Sequence, residues 1–262
     1  MTDTAKQPPL RVYLITEDDP LYVARFFEVF FAELPRDRIE VIGITVSRAF
    51  HESLLKTARR VHRFYGTIDF IRLFARWLPN RLLGKKIRDY ARDAGVSVYD
   101  AQSVNSAAFV EFVKGLHPDL LVSVAAPEVF KGPLLSVPRI GCLNIHSGRL
   151  PRYRGMMPTF WQLRHGEKAA VVTVHEMVAK LDAGGVVRTL AFPLKDHDIL
   201  HRVMVGTKQQ GARLMIDVLS SIDPREGRMP ASTPLDMSQA GYFKYPDAEN
   251  VKAYRAMGHR FL

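Results

Sequence analysis

Apolar and polar positions divide this chain into short hydrophobic runs that alternate with longer amphipathic segments. The short runs have the length of buried strands, and the longer segments place their apolar residues at helical spacing. Strands are predicted over residues 11–16, 41–46, 96–99, 120–125, 140–145, 171–175 and 186–192. Helices are predicted over residues 20–34, 53–64, 85–94, 106–116, 157–165 and 199–222. This alternation of strand and helix predicts a mainly parallel sheet covered by helices on both faces.

The end of the chain has a different character. Residues 224–241 are rich in Pro, Gly and Ser, and Asp247 is a suitable N-cap for a last helix that ends near Gly258. We therefore predict an α/β domain with a Rossmann-like, doubly wound sheet over residues 1–222. A short C-terminal extension with one helix is predicted over residues 223–262.

Length and composition predict a folded protein rather than a disordered one. The chain has 262 residues, 47% of them hydrophobic, which is enough for a full core. Cys142 is the single cysteine, so it has no partner for an internal disulfide, and this favours a reducing compartment. The polar N-terminus has no apolar signal segment, and the apolar stretch 21–34 is short and interrupted by charges. We expect a cytoplasmic protein.

The formal charge of +10 is concentrated in one part of the chain. Residues 56–92 hold eleven Lys and Arg but two Asp, a net charge of +9. Such a patch either favours an anionic partner, such as a phosphorylated substrate or an acidic membrane surface, or is a solvated face. Within it, apolar side chains of residues 67–83 are interleaved with arginines at 72, 76 and 81. We expect this segment to form a helix, which is compatible with a peripheral membrane contact, a homodimer contact or a core position with a basic outer face.

Polar residues with catalytic chemistry occur near the middle of the chain. Asn144 and His146 are two residues apart at the end of an apolar strand, so their side chains leave the same face. An amide donor beside an imidazole suits acyl transfer, in which one group holds the developing oxyanion and another moves protons. A carboxylate such as Asp182 would orient the imidazole. His175 is either a cleft residue or a structural one.

Two other kinds of site are disfavoured. The first strand is followed by Thr16-Glu17-Asp18-Asp19-Pro20, which lacks the glycines of a dinucleotide or phosphate loop and would repel phosphate. Asp196-His197-Asp198 groups three metal-ligand types, but no other ligand set with metal-like spacing accompanies it. We therefore predict no metal site.

The central sequence resembles the formyltransferase family that uses 10-formyltetrahydrofolate. The matching positions are residues 141–146, 150–155, Pro158, Trp161, residues 166–167, 173–175 and 181–184. The resemblance implies that Asn144, His146 and Asp182 are the catalytic residues and that 10-formyltetrahydrofolate is the co-substrate. It also implies a folate pocket formed by Ala125, Pro127, Glu128, Val129, Val178, Ala183 and Gly184. The chain departs from the family at residues 147–149.

The same resemblance implies a primary amine as formyl acceptor. The acidic first turn differs from the phosphate loop of the purine-pathway enzyme, and the residues after 222 are too few for the second domain of a methionyl-tRNA formyltransferase. By elimination we expect an amino sugar, nucleotide-linked or lipid-linked. The alternatives are a formyltetrahydrofolate hydrolase with water as acceptor and a methionyl-tRNA formyltransferase-like protein. A nucleic-acid-binding protein is disfavoured, because no known binding module accompanies the charge.

Overall fold

A computed structural model describes residues 8–47 and 54–262 of the protein. The strands are β1 (Leu10–Glu17), β2 (Ile39–Ser47), β3 (Val98–Tyr99), β4 (Leu120–Val124), β5 (Gly141–His146), β6 (Arg154–Gly155), β7 (Ala169–Glu176), β8 (Val186–Pro193) and β9 (Tyr242–Phe243). The helices are α1 (Val23–Glu33), α2 (Leu54–Leu82), α3 (Ile87–Asp93), α4 (Ala107–Gly115), α5 (Gly132–Leu135), α6 (Pro158–Arg164), α7 (Leu200–Ser220) and α8 (Ala248–Ala256). The alternating pattern of the sequence is thus present in the fold.

Seven strands form one sheet in the order β3-β2-β1-β4-β5-β7-β8. The first five strands in this order run parallel to one another, which confirms the predicted mainly parallel, Rossmann-like sheet. β7 and β8 run antiparallel to their neighbours. The connection between them, residues 177–185, contains no helix, so it returns the chain directly instead of crossing over the sheet.

Helices cover both faces of this sheet. On one face, Phe26 and Phe30 of α1 pack with Met215 and Val218 of α7 against the strands, and all four are fully buried. On the other face, α4 and the loop after β4 pack against the alternate side chains of β1 and β4. The two-sided burial explains why the central strands are almost entirely apolar, since neither of their faces meets water.

α2 departs most from the predicted elements. It extends through residues 67–82, but Gly66 interrupts it with a φ of 72° and a ψ of 171°. These angles favour glycine, because a side chain at positive φ is strained. The predicted start of this helix, Ser53, lies outside the described residues.

The C-terminal residues join the main body in two ways. β9 pairs in parallel with β6, with Arg154 opposite Tyr242. Tyr254 of α8 and Phe261 are fully buried against Phe160 of α6. Neither two-residue strand was predicted, because such a short element has no periodicity. The predicted helix after Asp247 is confirmed, and the boundary between residues 222 and 223 stays a prediction.

Candidate active site

A cleft of about 920 Å³ opens at the carboxyl ends of β1, β4 and β5. This is the edge at which open α/β sheets bind their ligands. Asn144, His146, His175 and Asp182 all line it. Three cleft residues other than glycine have left-handed backbone angles, with φ of 52° at Ala125, 53° at Met157 and 47° at Asp182. Such strained positions are common at functional sites.

Asn144 is held by His175 of the neighbouring strand, which lies opposite it in the β5–β7 register. His175 Nδ1 is 2.7 Å from the Glu176 carbonyl oxygen and donates to it. The other ring nitrogen, Nε2, therefore accepts from Asn144 Nδ2 at 3.0 Å. Burial, together with the nearby His146, lowers the pKa of His175 to about 4. His175 is thus a neutral acceptor that fixes one amide N–H of Asn144 and leaves the second available.

His146 is fixed through the opposite ring nitrogen. Its Nε2 donates to the Tyr153 carbonyl oxygen at 2.6 Å, so Nδ1 is the nitrogen left for chemistry. The absence of a side chain at Gly148 makes room for this hydrogen bond. A Cβ on Gly148 would lie 2.9 Å from His146 Nε2 and 2.9 Å from the Tyr153 oxygen. Only glycine leaves room for this hydrogen bond.

Asp182 lies between the two imidazoles. Its Oδ1 is 3.9 Å from His146 Nδ1 and 3.9 Å from His175 Nε2, within ion-pair range but beyond hydrogen-bond length. Its Oδ2 accepts from the Gly155 amide at 3.0 Å. Gly155 also belongs to β6, so the pairing of β6 with β9 connects the C-terminal residues to the carboxylate. Asp182 is 7% exposed, and a charge so deeply buried needs these partners.

Five of the predicted folate-pocket residues line the cleft: Ala125, Pro127, Glu128, Val129 and Val178. Ala183 and Gly184 are not among the residues of its wall, which differs from their predicted position. The reason at Gly184 is packing: a Cβ there would lie 1.9 Å from the Glu176 carbonyl oxygen. Gly184 therefore closes the loop that carries Asp182.

Glu128 has a structural task within this pocket. Its carboxylate accepts from Ser103 Oγ at 2.6 Å, from the Val104 amide at 3.2 Å and from Asn105 Nδ2 at 3.2 Å. These bonds join the loop after β3 to the loop after β4. The pocket wall at Ala125–Val129 is consequently held in one shape by a carboxylate with several donors.

The acidic turn after β1 forms another part of the wall, beside Lys208 of α7. Burial, followed by the nearby Asp19, raises the pKa of Glu17 to about 8. Burial also lowers the pKa of Lys208 from its ordinary value, although Glu17 and Asp19 oppose this. Asp19 itself accepts from the Leu21 amide at 2.8 Å before α1 begins. Glu17 and Lys208 have no hydrogen bond from their side chains to any residue within 8–47 and 54–262.

Aromatic and apolar side chains of α2 complete the cleft, together with two tyrosines from the C-terminal residues. The α2 side contributes Tyr65, Phe70, Leu73, Phe74 and Trp77, and the C-terminal side contributes Tyr242 and Tyr245. In the part of the chain that the structure describes, no three His, Cys, Asp or Glu side chains are grouped as metal ligands.

Sequence reasoning assigned no firm role to three residues of this cleft. His175 had one signal, its place at the end of a strand where alternate side chains face the cleft. Lys208 is one of several basic residues in a long amphipathic helix, and Tyr245 lies in a segment with no periodicity. Their positions depend on which elements meet in the fold.

Comparisons with known proteins identify similar sequences and similar structures. The sequence model of the formyl transferase family matches residues 78–219. The methionyl-tRNA formyltransferase of Macrococcus caseolyticus is 31% identical over 151 residues, which cover 55% of this chain and 49% of the relative. That of Methylobacillus flagellatus is 32% identical over 176 residues, covering 67% and 56%. The chain thus spans about half the length of these curated relatives.

Solved structures share the fold. A sugar N-formyltransferase from Shewanella superposes with a TM-score of 0.57 at 18% identity, covering 89% of this chain and 76% of the other. Glycinamide ribonucleotide transformylase 1 from Symbiobacterium toebii superposes with a TM-score of 0.60 at 16% identity, covering 89% and 100%. At these identities the likeness establishes the fold alone.

Proposed function

Because this chain belongs to the formyl transferase family, we propose that it transfers a formyl group from 10-formyltetrahydrofolate to the primary amine of an amino sugar. The main observation behind the proposal is that Asn144, His146 and Asp182 line the same cleft. They come from β5 and from the loop before β8, so their proximity is a property of the fold. Asn144, His146 and Asp182 are the residues that we propose as catalytic.

The hydrogen bonds suggest how the work is divided. Asn144 has one N–H held by His175, and its second N–H would donate to the oxyanion that forms when the amine attacks the formyl carbon. Preorganised donors of this kind each contribute about a hundredfold to a thousandfold in rate. His146 would accept a proton from the attacking amine at Nδ1, since Nε2–H is already donated to Tyr153. It would return this proton to the tetrahydrofolate nitrogen as the bond from that nitrogen to the formyl carbon breaks. Asp182, 3.9 Å away, would stabilise the resulting imidazolium.

The co-substrate fits the described cleft in size and character. A volume of about 920 Å³ is near the upper end of ordinary ligand pockets. The wall at Ala125, Pro127, Val129 and Val178 is apolar and suits a flat ring system. The folate, when bound there, supplies the formyl group.

The amino-sugar acceptor is supported by the other part of the wall. Glu17, Asp18 and Lys208 offer acceptors and donors suited to hydroxyl groups, and Tyr65, Tyr242 and Tyr245 offer ring faces. Solved sugar N-formyltransferases share the fold.

Two other acceptors compete with an amino sugar. Methionyl-tRNA is favoured by the 31–32% identity to methionyl-tRNA formyltransferases and by the basic α2, since tRNA is a polyanion. Water is the acceptor if the protein is a hydrolase. The predicted cytoplasmic location stays a prediction.

A donor-release assay separates these three acceptors. The purified protein is incubated with 10-formyltetrahydrofolate and a chelator, and with an amino-sugar nucleotide panel, methionyl-tRNA or no amine. Release of tetrahydrofolate is followed by absorbance and the product by mass spectrometry. We expect release that depends on an amino sugar and yields its N-formyl derivative. Release without amine would identify a hydrolase, and formylated methionyl-tRNA would identify the second acceptor. Absence of release under all conditions would overturn the proposed transferase.

A further inference from the structure

The second part of α2 has an exposed apolar face. Ile71, Ala75, Leu78 and Leu82 follow the i, i+4, i+7, i+11 spacing that places side chains on one side of a helix. Ile71 is 61% exposed, Leu82 is 67% exposed, and Ile68 beside them is 69% exposed. We call Ile68, Ile71, Ala75, Leu78 and Leu82 the α2 outer face. So many exposed apolar side chains on one helix face indicate a contact surface.

This face is not the result of an undocked helix, because the opposite side of α2 is firmly held. Leu73 is 8% exposed and packs in the core cluster around Tyr65 and Tyr254. Asn80 Oδ1 accepts from Arg25 at 3.2 Å, and Asp69 Oδ2 lies 3.2 Å from Arg255. These contacts fix the rotation of the helix, so the outer face is presented to solvent in a defined orientation.

Cations border the outer face. Arg72 and Arg81 lie on its two sides, and Arg76 lies further around the helix; all three are exposed. Asp69 is the single acidic residue between 67 and 83, and it already pairs with Arg255 and, at 3.4 Å, with Arg72. An apolar stripe between basic side chains is the composition of helices that lie in the interface of an anionic membrane.

We propose that the α2 outer face docks on an anionic membrane surface. Its apolar side chains would enter the boundary between head groups and acyl chains, and Arg72, Arg76 and Arg81 would contact lipid phosphates. A second copy of the chain fits less well, because a two-fold contact through this face would bring Arg76 and Arg81 together with their copies, and Asp69, the single acidic residue of the segment, already pairs with Arg72 and Arg255. Charge complementarity therefore favours an anionic membrane over a second copy of the chain.

The position of α2 gives this contact a consequence. Phe74 is 49% exposed on the outer side, and it also lines the cleft together with Phe70 and Trp77. Docking would thus place the mouth of the cleft at the membrane surface, where the head group of a lipid-linked amino sugar would meet it. This last step rests on the proposed function, whereas docking itself does not.

Vesicle co-sedimentation tests the docking without any need for turnover. The full chain is mixed with vesicles of phosphatidylcholine alone or with a quarter phosphatidylglycerol, at low and high salt. We expect binding to the anionic vesicles that weakens with salt, and little to the neutral ones. Arg72→Gln, Arg76→Gln and Arg81→Gln together should weaken it by about a hundredfold, since each basic residue contributes about fivefold.

Two further variants make the test specific. Ile71→Ser, Leu78→Ser and Leu82→Ser together should also reduce binding, although they leave the charge unchanged. Lys114→Gln, Arg225→Gln and Arg228→Gln remove the same charge from exposed sites elsewhere and should bind as the parent does. Thermal melts confirm that each variant is folded.

Several results would overturn the proposal. Equal binding to neutral and anionic vesicles, or no binding at all, would remove it. So would equal weakening by the control variant, which would indicate net charge alone. If sedimentation equilibrium showed a dimer that the apolar triple variant dissociates, with no vesicle binding, a second copy would be the occupant. Failure of the donor-release assay would leave these results unchanged, so the two proposals fail separately.

Discussion

The cleft has two halves with different relations to the formyl transferase family. The strand-end half, formed by residues 125–130, Asn144, His146, His175 and Asp182, lies wholly within the family match at residues 78–219. The α2 half, formed by residues 17–22, 57–77 and 242–245 together with Lys208, lies outside it except for Lys208. The family model therefore covers the strand-end half and, in the α2 half, Lys208 alone.

The two halves also differ in how their polar groups are satisfied. In the strand-end half, each catalytic candidate has a fixed partner: Asn144 has His175, His146 has Tyr153, and Asp182 has Gly155. In the α2 half, Glu17 and Lys208 are near each other without a hydrogen bond among the described residues. We infer that the first half is preorganised for one reaction, whereas the second has binding capacity left for an acceptor.

The largest effect should come from His146→Ala in the strand-end half. Loss of the Nδ1 proton acceptor beside Asp182 should lower kcat/KM by about a thousandfold, because general acid–base catalysis contributes on that scale. The donor-release assay measures it, with thermal melts to confirm folding. His117→Asn is a matched control at an exposed histidine with a φ of 50°, which Asn tolerates. Near-parental activity of His146→Ala would contradict the proposed mechanism.

A smaller effect is expected on the pH dependence of stability, through the titration of His175. Its pKa is lowered to about 4, so between pH 6.5 and pH 4 the unfolded chain binds a proton that the folded protein does not. The free energy of unfolding should therefore fall by about 3 kcal/mol as the pH falls through this window. His175→Gln keeps an acceptor for Asn144 but cannot titrate. Urea unfolding at pH 7 and pH 4.5 should show a smaller loss in the variant, and an equal loss would refute the assignment.

Glu17, in the α2 half, should change the free energy of unfolding with pH in the opposite direction. Its pKa is raised to about 8, so its contribution to stability is present below about pH 4.5 and is lost as the pH rises through 8. Glu17→Gln resembles the protonated side chain and should remove this loss. Urea unfolding at pH 5 and pH 9 provides the measurement. If the variant and the parent lose the same stability, Glu17 is charged at neutral pH and the contrast between the halves is wrong.

The smallest effect should separate acceptor binding from chemistry. Glu17→Ala and Lys208→Met each remove one polar group of the α2 half, and each should raise the acceptor KM by about fivefold, the usual cost of losing one hydrogen bond. Neither should change kcat or the KM for the formyl donor. Initial-rate measurements with either substrate varied make the distinction. A fall in kcat instead would place these residues among the reacting groups.

The local pattern of the sequence was sufficient for the sheet and for part of the site. The buried strands were predictable because two-sided burial requires uninterrupted apolar residues, and β5 placed Asn144 and His146 on one face by its alternation. β6 and β9 were missed, since two residues have no period. The two parts of α2 were expected separately, the first over residues 53–64 and the second as a helix within residues 67–83, and Gly66 forms the kink between them.

The sequence by itself determined the helices, the strands and the identities of the polar groups. Local structure depends on neighbours along the chain, so it can be predicted from them. Only the tertiary structure decided which distant segments come into contact. His175 reaches Asn144 through the antiparallel β5–β7 register. Lys208 comes near Glu17 because α7 packs beside α1 on one face of the sheet. The α2 outer face was also decided by the tertiary structure. Which of its apolar sides is buried depends on the contacts of Leu73 and Asn80, and these involve residues far away in sequence.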